Sequence, residues 1–345
     1  MVRSIELIRD ILEKKVTERP VISTWSITSR SIINTEKIQL FYEKLCKLSE
    51  PDLLVYDPYP YFFLADFVYP HKKILWDLKK IDPFSDSYEF RFGKITELEH
   101  LENYAIEFEY SFLKDVQRVL LEINKNVKCS VSLVLPSPLL MVQLLTKVNL
   151  DYWLRKDPSR LSRAIKPFYD LLFEYAIIPI EEEIESIFYL VPFISVANDN
   201  GLSKEIYLLR GWKIDKSFLS RLWQKNDIFI IKHVENPNSD PTIIQVFENT
   251  LPHGFINWNY EENGPNLFDE KISIHSPVVG GMFTQDIKEE NETKIFQSLK
   301  AFNENFSLDG FIYGTGTFLD SDINLKFVKK INKKVKNFIF KKNNL

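Results

Sequence analysis

The sequence predicts an α/β chain folded as a (β/α)8 TIM barrel, a single domain over residues 1–345 with an aromatic-rich insertion after the second strand. Three observations predict it. Eight short runs rich in β-branched and aromatic residues recur along the chain. Most of them are continuously apolar, as parallel strands covered on both faces must be. Segments with helical three-four spacing lie between them, as right-handed parallel crossovers require. Eight such units in 345 residues suit a closed barrel better than an open doubly wound sheet, because a barrel needs about 250 residues and tolerates insertions.

The opening segment MVRSIELIRDILEKK is amphipathic and charged, with no apolar core of the kind a signal peptide carries. The first strand is VISTW, Val21 to Trp25. TEKIQLFYEKLCKLSEP follows, with Ile38, Phe41, Tyr42, Leu45 and Leu48 on one helical face and Asn34 or Thr35 as the N-cap. The second strand is DLLVYD, Asp52 to Asp57. After it comes Pro58 to Thr96, dense in aromatics, prolines and charges. A second insertion, Ala197 to Trp212, contains ANDNG. Both insertions follow the C-terminal ends of strands, where barrels keep their sites, and both read as lids or pocket walls.

The third and fourth strands are CSVSLVLP, ending at Pro136, and SIFYLVPF, ending at Phe193. Between them DPSRLSRAIKPFYDLLFEYAIIPIEEE has the helical period. DIFIIKHVE and GFINWNY supply strands five and six, with SDPTIIQVFENTLP as the helix between. VVGGMFT and GFIYGTGT close the set, separated by EENETKIFQSLKAFNENF and followed by DINLKFVKKINKKVKNFI. The lysines of that last segment read as its solvated face.

Composition narrows the function. With 44 basic against 48 acidic side chains, nothing in the total asks for nucleic acid or an anionic membrane. A small-molecule ligand is the expected partner. No run of eighteen apolar residues occurs. The two cysteines, Cys46 and Cys129, lack the spacing of a metal knuckle or a disulfide framework. A cytoplasmic protein is expected. No dinucleotide fingerprint, phosphate loop, nucleophile elbow or HExxH motif is present.

Read in order, the strand ends resemble the uroporphyrinogen decarboxylase superfamily. The opening RSIELIRDILEKKVTERPVISTW, the second strand PDLLVYDPYPY, the segment LVLPSPLLMVQLL and the helix LRKDPSRLSRAIKPFYDLLFEYA all match its pattern. So do FIIKHVENPN, INWNY, VVGGMFTQDI and GFIYGTGTFLDSDINLKFVKKI. The resemblance implies a divergent enzyme of decarboxylase or methyltransferase type, acting on a carboxylated or methylated small molecule. A tetrapyrrole or a corrinoid is the implied ligand and a homodimer the implied assembly. The rival implication is a non-catalytic tetrapyrrole- or corrinoid-binding protein. Fold alone does not choose.

At several strand ends the chain departs from the family. The decarboxylases carry two arginines after the first-strand tryptophan; here Trp25 is followed by Arg30 alone, and Thr28 lies where the first would fall. The family tyrosine after strand three falls at Gln143 or Leu144, and its last-turn histidine falls on Thr315. The zinc methyltransferases use a histidine, a cysteine two residues on and a second cysteine in the last turn; here these are His233, Glu235 and Thr317. His233 and Glu235 make two ligands without a third, so no metal and no cofactor is expected.

The resemblance therefore implies Asp57 and His233 as catalytic residues. Asp57 would stabilise positive charge on a ring, and Arg30 would anchor carboxylates. Trp25, Tyr59 and Tyr61 offer aromatic walls beside Asp57. Asn257 and Asn259 share one face by period two and suit hydrogen bonding to a polar ligand, with Thr315 in the last turn. Lys232 and His233 must face opposite ways, so only one can face the mouth. Arg91 and Arg210 lie in the insertions, either exposed to solvent, the default for each, or reaching an anionic ligand.

Overall fold

The computed structural model describes residues 4–15, 17, 19–26, 35–57, 77–80, 88–91, 97–102, 110–146, 148–194, 202–225, 227–235, 240–261, 264–268, 274–305, 310–319 and 323–337. Each of the eight expected runs contains a strand. They are β1 (Ser23–Trp25), β2 (Leu53–Tyr56), β5 (Ser130–Pro136), β6 (Ser186–Leu190), β7 (Phe229–Val234), β8 (Phe255–Trp258), β9 (Val278–Met282) and β10 (Phe311–Thr315). Two further strands, β3 (Asp77–Lys80) and β4 (Tyr88–Arg91), pair antiparallel as a hairpin inside the first insertion.

The eight strands form one sheet in chain order, β1-β2-β5-β6-β7-β8-β9-β10, and every pairing in it is parallel. Parallel bridges Ile22 to Tyr313 and Ser26 to Leu319 join the last strand to the first, with Tyr313 N–H donating to the Val21 carbonyl at 2.9 Å. The sheet thus closes on itself as a (β/α)8 barrel.

Helices fill the crossovers. They are α1 (Ser4–Leu12), α2 (Thr35–Ser49), α3 (Leu98–Glu102), α4 (Tyr110–Asn126), α5 (Pro138–Leu145), α6 (Leu150–Lys156) and α7 (Pro158–Glu181), then α8 (Lys204–Ile206), α9 (Trp212–Trp223), α10 (Pro241–Thr250), α11 (Thr284–Lys288), α12 (Glu292–Asn305) and α13 (Leu325–Lys336). Short polar side chains start several of them. Asp157 accepts from Arg160 N–H at the head of α7, Asp240 from Thr242 N–H at α10, and Asn324 from Lys326 N–H at α13.

Alternation along the strands sorts two cores. Leu53, Val55, Val134, Phe188, Phe229, Ile231, Phe255, Val279 and Ile312 fill the barrel. Their neighbours Leu54, Tyr56, Leu133, Ile187, Tyr189, Ile230, Val234, Ile256 and Trp258 face the helix layer. Leu7, Ile8 and Ile11 of α1 join the inner set. α1 also holds residues one or two positions ahead of strands, through Ser4 to Asp52 and Arg9 to Glu185 and the Asp227 carbonyl. It therefore plugs the N-terminal end and leaves the other end as the mouth.

The second insertion differs from the expected lid. Its described part, from Leu202, is helical: α8 passes through a π-helical turn, Tyr207–Gly211, into α9. Leu202, Ile206 and Tyr207 are buried in the outer core, so this stretch belongs to the helix layer. Of the first insertion only the β3–β4 backbone lies within the described residues.

Candidate active site at the barrel mouth

Strand parity decides which side chains converge on the mouth. Continuing the inward set upward gives Asp57 after β2, His233 on β7 and Glu235 after it, and Asn257 on β8. Trp25 caps the inner core from β1. His233 and Asn257 are adjacent in the β7–β8 register, and both are fully buried.

Asn257 fixes the histidine. Its amide nitrogen donates to the Val279 carbonyl at 2.7 Å and to the Thr315 carbonyl at 3.1 Å. Its oxygen is left as an acceptor and lies 2.5 Å from His233 Nδ1. Nδ1 therefore carries a hydrogen. The other nitrogen, Nε2, stands 2.6 Å from Glu235 Oε2. An imidazole whose Nδ1–H is committed can bond a carboxyl through Nε2 only if one more proton lies between the two, on nitrogen or on oxygen. The contact is short, a ring nitrogen and a carboxyl oxygen at hydrogen-bond distance. Its histidine end is buried, while the Glu235 side chain is 38% exposed.

Aromatic rings hold the imidazole in place. Phe188 stacks on it at 5.3 Å between centroids, and Trp25 meets it edge-on at 4.8 Å. The Trp25 indole N–H donates to Asp57 Oδ2 at 3.3 Å. Asp57 is itself fixed from behind by α2, since its backbone N–H donates to the Tyr42 hydroxyl at 3.1 Å and that hydroxyl donates to the Ser26 carbonyl at 3.2 Å. Phe318 closes the cluster against Trp25.

Trp25, Asp57, His233 and Asn257 are thus brought together. Asn259 lies one step above, and its side-chain oxygen accepts from Glu261 N–H at 3.2 Å. Thr315 is a correction to the expected geometry. β10 runs through it, so parity turns its side chain outward, where it faces Val328, Ile331 and Asn332 of α13. Only its carbonyl joins the cluster, by way of Asn257. Arg30, Tyr59 and Tyr61 lie outside the described residues, as does the Arg91 side chain. Arg210 donates to the Leu154 carbonyl at 2.8 Å and so caps the end of α6. Gln143 is tied to the Phe193 backbone.

Sequence reasoning missed Tyr42, Phe188 and Glu261. Phe188 could have been found by the same parity that placed His233. Glu261 accepts from Thr284 N–H at 2.7 Å and from the Thr284 hydroxyl, and its other oxygen is buried with no hydrogen-bond partner among the described residues. Burial pushes its carboxyl above the ordinary range. It continues the inward series of Phe255, Asn257 and Asn259, a signal that ended in the sequence reading with the strand.

A catalytic zinc needs three protein donors. Among the described residues no three His, Cys, Asp or Glu side chains are grouped to hold a metal. His233 and Glu235 are bonded to each other, and the last turn offers neutral threonine oxygens. The donor set does not fit the zinc centre that the family resemblance implies.

No family model matches the sequence, and no curated protein matches it. Solved structures do match in fold. A methyltransferase from Methanosarcina mazei superposes with a TM-score of 0.69 at 13% identity, covering 98% of this chain and 99% of that one. A B12-independent methionine synthase from Shewanella sp. W3-18-1, in complex with selenomethionine, gives 0.50 at 11% identity, covering 92% and 98%.

Proposed function

We propose that the chain is a divergent member of the uroporphyrinogen decarboxylase superfamily, acting on a small molecule at the barrel mouth with His233 and Glu235 as its proton-transferring pair. One observation carries the reading. A fully buried imidazole is locked by Asn257 through Nδ1 and given to a carboxyl through Nε2, at the end of the barrel where this fold does its chemistry.

Methyl transfer is the favoured reaction. Both structural neighbours bear names of methyl-transferring proteins, which supports the reading without deciding it. In such a transfer the acceptor loses a proton as its new bond to carbon forms. His233 and Glu235 can receive that proton once the one between them has passed to solvent through the partly exposed Glu235 carboxyl, with Asn257 keeping the imidazole in one tautomer. Asp57, held by Trp25 and Tyr42, suits an N–H or developing positive charge on the ligand.

That same Asp57 favours decarboxylation as the second reading. There the departing carbon dioxide leaves an electron pair on carbon, and the His233–Glu235 pair delivers the proton that takes its place.

The test is turnover of a methylated corrinoid or folate with a thiol acceptor, and separately of uroporphyrinogen, followed by mass spectrometry. His233→Ala should lower kcat by at least about 100-fold and Glu235→Gln by roughly 10- to 100-fold. Undiminished turnover in both variants removes the pair from the mechanism. A wild-type protein that retains a tetrapyrrole or corrinoid without converting it is a binding protein instead.

A further inference from the structure

The two cysteines are 83 positions apart in sequence, yet their sulfurs stand 2.8 Å apart. Cys46 lies on the buried face of α2 and Cys129 immediately precedes β5; each is 7% exposed. The separation exceeds the about 2.05 Å of a disulfide bond, but it leaves no room for another atom between the sulfurs. We propose that Cys46 and Cys129 form a site of reversible oxidation, closing an intrachain disulfide that staples α2 to the start of β5. The proposal stands independently of the reaction at the mouth.

The contact between the two sulfurs bears on both thiols. A hydrogen bond from Cys129 holds the Cys46 thiol below its ordinary range, against the opposing effect of burial. The backbone amides of Cys129 and Lys128 and the charge of Lys336 add to the lowering. The bond to Cys46 and burial push Cys129 the other way. Oxidation can begin at either sulfur: with Cys46 as the attacking thiolate and Cys129 as the resolving thiol, or with the two reversed, the steps balance equally.

With a peroxide as oxidant, the Cys46 thiolate attacks one oxygen and breaks the O–O bond. This leaves a sulfenic acid on Cys46 and a hydroxide that takes up a proton as water. The Cys129 sulfur then attacks the Cys46 sulfur. The S–S bond forms, and a second water leaves with the Cys129 proton. Two electrons pass from the sulfurs to the peroxide, and a dithiol returns them.

The staple bears on the mouth through α2. Tyr42 lies one helical turn before Cys46 on the same buried face, and it is the residue that holds Asp57 and Ser26. Oxidation would tie down the helix that sets Asp57.

The experiment treats reduced full-length protein with hydrogen peroxide, then denatures and alkylates it for intact-mass measurement. The expected product is lighter by about 2 Da, takes up no alkylating agent, regains two alkylatable thiols after dithiothreitol, and yields one cross-linked peptide containing Cys46 and Cys129. Its Tm should lie about 5 °C above that of the reduced form. Cys46→Ser and Cys129→Ser should each abolish the mass loss. Two alkylated cysteines after peroxide, added oxygen in place of lost hydrogen, persistence of the mass loss in either variant, or an oxidised form melting no higher than the reduced one would each overturn the proposal.

Discussion

Lys232 shows how far one step along a strand changes a residue's circumstances. Beside His233, it points into the helix layer, fully buried, and its amine has no hydrogen-bond partner among the described residues. Burial lowers its pKa to about 8, with only the charge of Glu248 opposing. Between about 8 and the ordinary lysine range near 10.4 the unfolded chain binds more protons than the native one, so this residue makes stability rise with pH there. Below about 8 the full cost of a buried ammonium is present. Lys232→Met should therefore stabilise the protein at pH 7 by on the order of 2–3 kcal/mol and flatten the rise above pH 8, measured by urea unfolding from pH 7 to 10. Asp215 runs the opposite way. Fully buried on α9, it accepts from Ser137, Tyr189 and Tyr207 at 2.5, 2.8 and 2.9 Å. Burial still raises it to about 6. The native state then holds its proton to higher pH, so stability falls as pH rises from about 4 to about 6. Asp215→Asn should reduce that slope, measured by urea unfolding from about pH 4 to pH 7. The opposed facing of Lys232 and His233 was readable in the sequence. The short contact with Glu235 was not, because it depends on Asn257 arriving from the next strand to orient the imidazole.

Elements were more readable than contacts. Each of the eight apolar runs became a strand because a continuous Val, Ile, Leu and Phe stretch has to be buried on both faces, and parallel pairing in chain order does that. The hairpin of β3 and β4 escaped notice because DLKK is mostly charged and YEFR, though it alternates, does so over only four residues within a segment dense in charges and aromatics. The insertion Ala197 to Trp212 reads as a lid or pocket wall because a π-helical turn, Tyr207–Gly211, breaks the helical periodicity there. The paired glycines of VVGGMFT signal a close approach rather than a turn. Gly281 has φ +94°, and a β-carbon there would stand 2.8 Å from the Phe302 ring on α12. Gly281→Ala should cost about 2–4 kcal/mol, part from the left-handed backbone and part from the clash. Adding Phe302→Leu should recover some of the clash and none of the backbone strain. Chemical denaturation of the single and double variants checks both. A Gly281→Ala protein as stable as the wild type would remove the close packing of β9 on α12.

At the scale of the whole molecule the two ends of the barrel separate stability from chemistry. The helix α1 closes the bottom, with Leu7, Ile8 and Ile11 each at most 1% exposed and packed with Val21, Leu53 and Phe229 in the inner core. The sequence displayed the amphipathic face of α1 but not its partner, since a helix that precedes the first strand can cover either end of a barrel. What places it at the bottom is a set of polar contacts to Asp52, Glu185 and the Asp227 carbonyl, each just ahead of a strand. Removing residues 1–15 should therefore open the apolar barrel floor, and the truncated chain should bind a hydrophobic dye and aggregate where the full chain does not. The subtler variant Ile8→Ala should cost about 2–5 kcal/mol and yet leave kcat per folded molecule unchanged. His233, Glu235 and Asp57 stand at the opposite ends of their strands. A fall in kcat larger than the fraction unfolded would mean that strain at the floor is transmitted along β7 to His233, and the separation of the two ends would fail.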